Sequence, residues 1–329
     1  NSPKNPKDEE ETKIETTPLS NVSSEDLKLV LNETLSEDDD NDDKTTTTTP
    51  CTNENVGVSS NNNNNNHPIS KAQQLQTIYI PTNMKSEPIP ATIALPSSYY
   101  ESSNNNNNTS YYPTLYLLHG ATDDHSTWSK HINLPSLATK YNLIVICPDG
   151  GKTSWYFDSP LDTTYQYETF VSQELVTYID TTYRTLPQVS KRAIMGNSMG
   201  GHGAFFLALR HPSVFGTAVS ISGGVDLRPF STQWSISKRI GTIQQHPQRW
   251  KELSVVTQVY NSPKLKNLHL AMDCGTNDFF IQVNRNLHDV LLEMKVPHDY
   301  TERMGGHGWD YWERVIYLNM AFVYEHIHS

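Results

Sequence analysis

Three kinds of residue in this chain could together cleave an acyl bond: a serine in a glycine-rich turn, a histidine in a glycine-rich loop and a carboxylate between them. Ser198 lies in the pentapeptide GNSMG, residues 196–200, which matches the pattern G-x-S-x-G. Such a serine acts as a nucleophile when a neighbouring histidine takes its proton. The chain contains 13 histidines, so this pattern does not by itself select the base.

The residues around Ser198 have the pattern of a strand followed by a helix. The apolar run KRAIM precedes the turn, and GGHGAFFLALRH follows it. A sharp strand-to-helix turn requires small neighbours, and it directs the first N–H groups of the helix toward the nucleophile, where they stabilise negative charge. We therefore predict a nucleophile elbow at Ser198, with an ordinary strand–helix turn as the alternative.

The tetrapeptide GGHG occurs twice, and each copy supplies a candidate base. His202 lies in the first turn of the helix after the elbow, where the positive end of the helix dipole disfavours an imidazolium. His307 follows the predicted last strand, VPHDYTERM, and its flanking glycines let it approach Ser198 closely. We predict that His307 is the base and that His202 is structural.

The carboxylate is predicted in the run LHLAMDCGTNDFF. Asp278 lies past the turn that ends this strand, where a loop carboxylate can accept a hydrogen bond from a histidine ring and fix its tautomer. Asp273 lies within the strand and is the alternative. Asp310 is too close to His307 in sequence, and Asp289 lies in the middle of a predicted helix.

The loop after the predicted strand TLYLLHG should supply a donor for an oxyanion. Gly120 and Ala121 lie in this loop, and the backbone N–H of Ala121 is unobstructed. We predict that His119 braces the loop and takes no part in the chemistry.

Strands and helices alternate along the part of the chain that carries these residues. Two alternating stretches, LQTIYIP and PATIALP, predict an antiparallel pair of strands. Continuous apolar runs then predict buried parallel strands, with amphipathic helices between them. The predicted fold class is α/β, a mostly parallel sheet with helices on both faces. The reactive residues should gather beyond the carboxyl ends of the strands.

Residues 225–266 interrupt this alternation. Their apolar residues predict short helices over the C-terminal edge of the sheet, anchored by Trp234, Ile236, Ile240, Trp250 and Leu253. This insert is either one wall of a substrate pocket or a structural crossover, and the pattern does not separate the two.

Composition divides the chain near residue 72. Residues 1–72 contain no aromatic residue, and their 6 lysines and 15 acidic residues carry −9 of the net charge of −11. Such a segment buries too little apolar surface to offset its conformational entropy, which predicts a disordered acidic tail or linker. Residues 73–329 keep a net charge of −2 and are predicted to form one folded domain.

The charge and the cysteines also restrict partners and compartment. The near-neutral domain has no basic stripe, which argues against nucleic acid, and no apolar run reaches the roughly 20 residues that span a bilayer. The Thr/Asn-rich tail favours an extracellular or periplasmic location, with the cytoplasm as the alternative.

Cys51, Cys147 and Cys274 do not make a disulfide framework, and the two in the domain are predicted to be buried thiols. His326 and His328 lack the further ligands that a metal site needs.

Five segments together resemble the esterase D-type branch of the α/β-hydrolases over roughly residues 75–329. They are LYLLHG, ICPDGGKTSWYFDSP, GNSMGGHGA, LAMDCGTNDFF and VPHDYTERMGGHGWDYW. That group includes tributyrin esterases, S-formylglutathione hydrolases, feruloyl and acetyl xylan esterases and the antigen 85 mycolyltransferases. The resemblance implies an α/β-hydrolase fold and a serine esterase without metal or organic cofactor.

The resemblance also implies a role for residues at matching positions. Ser198 would be the nucleophile, Asp278 the orienting carboxylate and His307 the base. The backbone N–H groups of Ala121 and Met199 would form the oxyanion hole.

The resemblance implies a substrate class as well. Trp155 would border the substrate pocket, and the substrate would be a small-molecule or glycan-linked ester with a short-chain, acetyl or feruloyl group. The alternatives are an acyltransferase of the mycolyltransferase type, a thioesterase like S-formylglutathione hydrolase, and a non-catalytic binding module. The sequence predicts no oligomeric state.

Overall fold

A computed structural model describes residues 74–104, 110–262 and 265–329. The predicted tail, residues 1–72, and Cys51 therefore lie outside the described residues. Within the described ranges, eight strands form one sheet in the order β1-β2-β4-β3-β5-β6-β7-β8. Their bounds are β1 Leu75–Ile80, β2 Ile89–Ala94, β3 Thr114–Leu118, β4 Ile144–Pro148, β5 Arg192–Asn197, β6 Thr217–Ile221, β7 His269–Gly275 and β8 Asp299–Arg303.

The sheet is mostly parallel, as the sequence predicts. β2 pairs antiparallel with β1 and with β4, whereas every other neighbouring pair is parallel. Every residue of β3, β4, β5 and β6 is buried, because both faces of these strands are covered.

Helices cover the two faces of the sheet. Their bounds are α1 Ser97–Asn104, α2 Thr127–His131, α3 Leu134–Tyr141, α4 Tyr167–Thr169, α5 Val176–Thr182, α6 Met199–Arg210, α7 Ile236–Ile240, α8 Pro247–Leu253, α9 Val255–Gln258, α10 Ile281–Glu293 and α11 Trp309–His328. A π-helical segment, Phe170–Leu175, joins α4 to α5. None of the helices in the described ranges is apolar over a length that would cross a membrane.

The core is divided by the sheet into two layers. Tyr116 and Leu118 of β3 pack with α5, α6 and α10 on one side, whereas Leu115 and Leu117 pack with α3 and α11 on the other. This alternation follows from the two-residue period of a strand. The prediction of an α/β sheet covered on both faces is confirmed.

The insert at residues 225–266 contains the short helices that the sequence predicts, α7, α8 and α9. Ile236 and Ile240 of α7 and Trp250 of α8 are buried. Cys147 and Cys274 are buried free thiols, which confirms the prediction for the two cysteines of the domain.

A buried ion pair fixes α5 to the start of β5, the strand that leads to Ser198. Arg192 is 4% exposed and donates hydrogen bonds to Asp180 Oδ2 at 2.6 Å and to the Val214 carbonyl at 2.8 Å. The other carboxylate oxygen of Asp180 accepts a hydrogen bond from Thr185 at 2.7 Å. This largely buried charge pair therefore links α5 to the start of β5.

We expect Asp180→Ala to lower the free energy of unfolding by about 3–5 kcal/mol, because the Arg192 charge would stay buried without its partner. Urea denaturation followed by tryptophan fluorescence measures this change. Asp289→Ala removes an exposed carboxylate from α10 and should change stability by less than about 0.5 kcal/mol. Equal losses in the two variants would contradict a special contribution of the buried pair.

Candidate active site

Ser198 lies on a strained turn between β5 and α6, with φ 56° and ψ −117°. A positive φ at a residue other than glycine persists only where the surroundings enforce it. The Ser198 N–H donates to the Ile221 carbonyl at 2.9 Å, and the Ser198 carbonyl accepts from the N–H groups of His202 at 3.0 Å and Gly224 at 3.3 Å. These bonds fix the turn at the carboxyl ends of β5 and β6.

Two glycines allow the backbone to pass this turn. A Cβ on Gly200 would lie 2.5 Å from the Leu118 carbonyl oxygen and 2.7 Å from that of His119. A Cβ on Gly196 would lie 2.5 Å from the Gly200 carbonyl oxygen. Since the obstructing atoms belong to the backbone and cannot turn aside, both positions require glycine.

The structure brings Ser198, Asp278 and His307 together. Nε2 of His307 lies 2.9 Å from Ser198 Oγ, and Nδ1 lies 2.9 Å from each carboxylate oxygen of Asp278. Asp278 Oδ1 also accepts the Phe280 N–H at 2.8 Å, and the Asp278 side chain is fully buried. Because the carboxylate accepts a hydrogen bond from Nδ1–H, Nε2 carries no proton and is the acceptor that faces the Ser198 hydroxyl.

His202 occupies a different environment from His307. The His202 ring is fully buried, its Nδ1 lies 3.2 Å from the Gly224 carbonyl oxygen, and the ring stacks on Phe206 at 5.4 Å. Burial lowers the pKa of His202 to about 3, so the ring is neutral. A neutral Nδ1–H donating to Gly224 makes this side chain part of the scaffold behind the elbow.

Asp273, the alternative carboxylate, belongs to a buried polar network. It is 0% exposed and accepts hydrogen bonds from the Tyr311 hydroxyl, from Arg303 Nε at 3.1 Å and from Asn319 Nδ2 at 3.1 Å. Tyr311 packs beneath Gly305, where a Cβ would lie 2.3 Å from the Tyr311 ring. The network thus joins β7, β8 and α11 around the loop that carries His307.

The loop of the predicted oxyanion donors is held by His119. Its Nδ1 donates to the Gly120 carbonyl at 2.7 Å, and its Nε2 accepts the Gly150 N–H at 2.8 Å. Burial lowers the pKa of His119, which favours this neutral form. The Tyr156 hydroxyl donates to the His119 carbonyl at 3.1 Å. His119 therefore ties the loop to the end of β4.

Ala121 and Met199 lie on the two segments that meet at Ser198. Ala121 follows the braced loop after β3, and Met199 is the first residue of α6. The first N–H groups of a helix have no acceptor within it, so the Met199 N–H is available to a ligand. The roles of these two N–H groups stay predictions.

An aromatic cluster around His307 was missed by sequence reasoning. The His307 ring centroid lies 4.1 Å from that of Phe279, 5.2 Å from Phe280 and 4.9 Å from Trp312. Phe279 also stacks on Trp234 of the insert at 5.7 Å. The pair of phenylalanines directly after Asp278 was the signal that could have revealed this cluster.

Arg239 of α7 attaches the insert to residues 153–165. Its guanidinium lies 3.4 Å from the centroid of the Tyr165 ring and donates to Thr153 Oγ1 at 3.0 Å and to Asp162 Oδ2 at 3.2 Å. The Arg239 carbonyl accepts the Ser159 hydroxyl at 2.6 Å. With Trp234 against Phe279, these contacts favour the interpretation of the insert as one wall of the site.

Trp155, the predicted substrate contact, is buried, with 1% of its surface exposed. Its ring lies 5.5 Å from that of His202 and 5.8 Å from that of Trp234. The structure therefore places Trp155 between the scaffold histidine and the insert, and its contact with a substrate stays a prediction. Within the described ranges no three His, Cys, Asp or Glu residues cluster in a way that could hold a metal ion.

The sheet topology and the elbow define this chain as an α/β-hydrolase. A sequence model of the family described as "Putative esterase" matches residues 82–320, and the chain belongs to that family. The resemblance found in the sequence is confirmed. The chain is similar to an acetyl esterase of Caldicellulosiruptor saccharolyticus, with 28% identity over 214 residues, which cover 62% of this chain and 80% of the relative.

Solved structures show the same fold. The serine hydrolase FphF of Staphylococcus aureus has a TM-score of 0.68 and 22% identity, over 76% of this chain and 98% of that chain. A ferulic acid esterase has a TM-score of 0.65 and 26% identity, over 77% of this chain and 97% of that chain. Membership of the esterase family makes this protein a carboxylic ester hydrolase.

We expect Asp273→Ala to lower the free energy of unfolding by at least about 3 kcal/mol, because three donors would lose their buried acceptor. Tyr311→Phe removes one donor and should cost about 1–2 kcal/mol. Urea denaturation of both variants measures these changes. A fully stable Asp273→Ala variant would show that the network does not hold β7, β8 and α11 together.

Proposed function

We propose that this protein hydrolyses carboxylic esters through an acyl-enzyme intermediate on Ser198. The contact between His307 Nε2 and Ser198 Oγ at 2.9 Å carries the proposal, because it gives the hydroxyl a proton acceptor. The two 2.9 Å contacts of Nδ1 with Asp278 support it, because they fix the ring in the tautomer that leaves Nε2 free.

The first half of the reaction forms the acyl-enzyme. His307 Nε2 takes the proton from Ser198 Oγ while this oxygen attacks the ester carbonyl carbon, and the carbonyl electron pair becomes an oxyanion. The N–H groups of Ala121 and Met199 stabilise that oxyanion. The protonated His307 then gives its proton to the leaving alcohol as the carbon–oxygen bond breaks.

The second half of the reaction repeats these steps with water. His307 takes a proton from the water molecule that attacks the acyl carbon, and it returns a proton to Ser198 as the acid leaves. Asp278 stabilises the imidazolium in both halves. Its burial and its bond from the Phe280 N–H keep the carboxylate in place, while Phe279 and Trp312 support the ring from its other sides.

We propose a substrate with a short-chain, acetyl or feruloyl group, either a small molecule or an ester linked to a glycan. The similarity to an acetyl esterase and to a ferulic acid esterase supports this range. The aromatic surfaces of Phe279 and Trp234 beside His307 also support it, because they offer apolar contact to an acyl chain or ring. The rates of hydrolysis of aryl esters from acetate to ferulate would define the range.

We expect Ser198→Ala and His307→Ala each to lower kcat/KM for para-nitrophenyl acetate by about four orders of magnitude, because each removes a group that bonds to or exchanges protons with the substrate. His202→Gln is the matched control and should stay within about tenfold of the wild type, since His202 is neutral scaffold. Circular dichroism verifies folding. An active His307→Ala variant with an inactive His202→Gln variant would reverse the assignment.

We expect a covalent adduct on Ser198 during turnover. When the enzyme is mixed with excess para-nitrophenyl acetate and quenched in acid within the first turnovers, mass spectrometry should show one acetyl group on the peptide that contains Ser198. Ser198→Ala should show none. Turnover by the wild type without a burst of para-nitrophenol and without an adduct would indicate direct attack by water.

A further inference from the structure

Asp123 lies near Ser198, two residues after Ala121 in the loop between β3 and α2. A Cβ on Gly120 would lie 3.4 Å from Ser198 Cβ, 3.5 Å from Asp123 Oδ2 and 3.2 Å from Asn197 Nδ2. Three side chains therefore surround one point next to the reacting serine, and one of them is a carboxylate. The proposed reaction gives no role to Asp123 or Asn197.

The adjacent Asp124 has a structural role in this loop. Asp124 Oδ1 accepts the Ser126 N–H at 2.7 Å and the Ser126 hydroxyl at 2.6 Å at the start of α2, and its Oδ2 lies 3.9 Å from Lys130. Asp123 makes no comparable bond to a side chain within the described ranges, and its carboxylate faces the Gly120 N–H. Asp124 therefore caps the start of α2, whereas the Asp123 carboxylate is held toward Gly120 and the Ser198 turn.

Asn197 provides an independent observation at the same point. Its side chain is 0% exposed, and neither the amide oxygen nor the amide nitrogen has a hydrogen-bond partner within the described ranges. Burial of an amide without partners costs free energy. An unsatisfied amide at the nucleophile is the kind of group that a polar substrate atom would satisfy.

We propose that Asp123, together with the Asn197 amide, is a specificity-determining group that admits neutral and cationic acyl groups and disfavours anionic ones. The inference rests on the proposed role of Ser198. The acyl carbon lies at Ser198 Oγ when the serine attacks and stays bonded to it in the acyl-enzyme, so a charge on the acyl group acts near Asp123 in both halves of the reaction. A carboxylate at this place repels an anionic acyl group and attracts a cationic one.

The charge of Asp123 depends on pH. Burial, and to a lesser extent the neighbouring Asp124, raise the pKa of Asp123 to about 6, whereas His131, the Gly120 N–H and Lys130 act in the opposite direction. Tyr156 also faces this carboxylate and stays neutral, because burial raises the pKa of its hydroxyl. Asp123 is therefore neutral below about pH 6 and negative above it. The discrimination against anionic acyl groups should appear as the pH rises through this range.

The test compares para-nitrophenyl esters of three acids of equal chain length: hexanoate, which is neutral, adipate, which keeps one free carboxylate, and ε-aminohexanoate, which carries an ammonium group. The rate of hydrolysis without enzyme is subtracted from each. At pH 8 the wild type should cleave the adipate monoester with a kcat/KM about tenfold below that of the hexanoate ester, and the ε-aminohexanoate ester faster than the adipate. Asp123→Asn should bring the adipate-to-hexanoate ratio close to one. In the wild type this ratio should rise as the pH is lowered from 8 to 5.5.

Asp124→Asn is the matched control, because it removes the same charge one residue away and should leave the ratio as in the wild type. Asp123→Ser serves as a second variant if Asp123→Asn does not fold. An unchanged adipate-to-hexanoate ratio in a folded Asp123 variant overturns the inference and leaves the proposed function intact. If the wild type cleaves neither these esters nor para-nitrophenyl acetate, the proposed function is overturned, and the inference with it.

Discussion

The active site depends on one backbone conformation, the positive φ of Ser198. The hydrogen bonds of Ser198 with Ile221 and Gly224 hold this conformation, so the end of β6 enforces the geometry of the turn after β5. The turn fits because Gly196 and Gly200 let the backbone pass against the end of β3. The Ser198 turn and the loop after β3 are therefore positioned by the same close packing of strand ends.

The two carboxylates of the β7 region bond to different parts of the molecule. Asp273, inside the strand, satisfies donors from β8 and α11 and so fixes the elements on either side of the His307 loop. Asp278, past the strand, bonds to the His307 ring itself. The distinction arises from position: a strand residue points into the core between elements, whereas a residue beyond the strand end reaches the edge where the reactive groups meet.

Much of the fold and the meeting of three side chains could be predicted from the sequence, because local patterns determine them. Apolar runs identified the strands, and the glycines around Ser198 and His307 identified two sharp turns. The aromatic cluster could not be predicted, because Trp234 and Phe279 meet only through the folding of the insert. The different contacts of Asp123 and Asp124 could not be predicted either, because the sequence does not show in which direction each of two adjacent side chains points.

The insert and the loop that carries His307 are attached to the rest of the domain by different contacts. Arg239 fastens α7 to residues 153–165, whereas the loop that carries His307 lies against Tyr311, which bonds to Asp273 in the network of β7, β8 and α11. The insert and the His307 loop thus rest on different sets of contacts, and they meet through the rings of Phe230 and Trp234 on one side and of Phe279 and Phe280 on the other. Substitutions or changes of length in the insert can therefore alter the surface that Trp234 presents beside His307, while the contacts among Ser198, Asp278 and His307 stay unchanged.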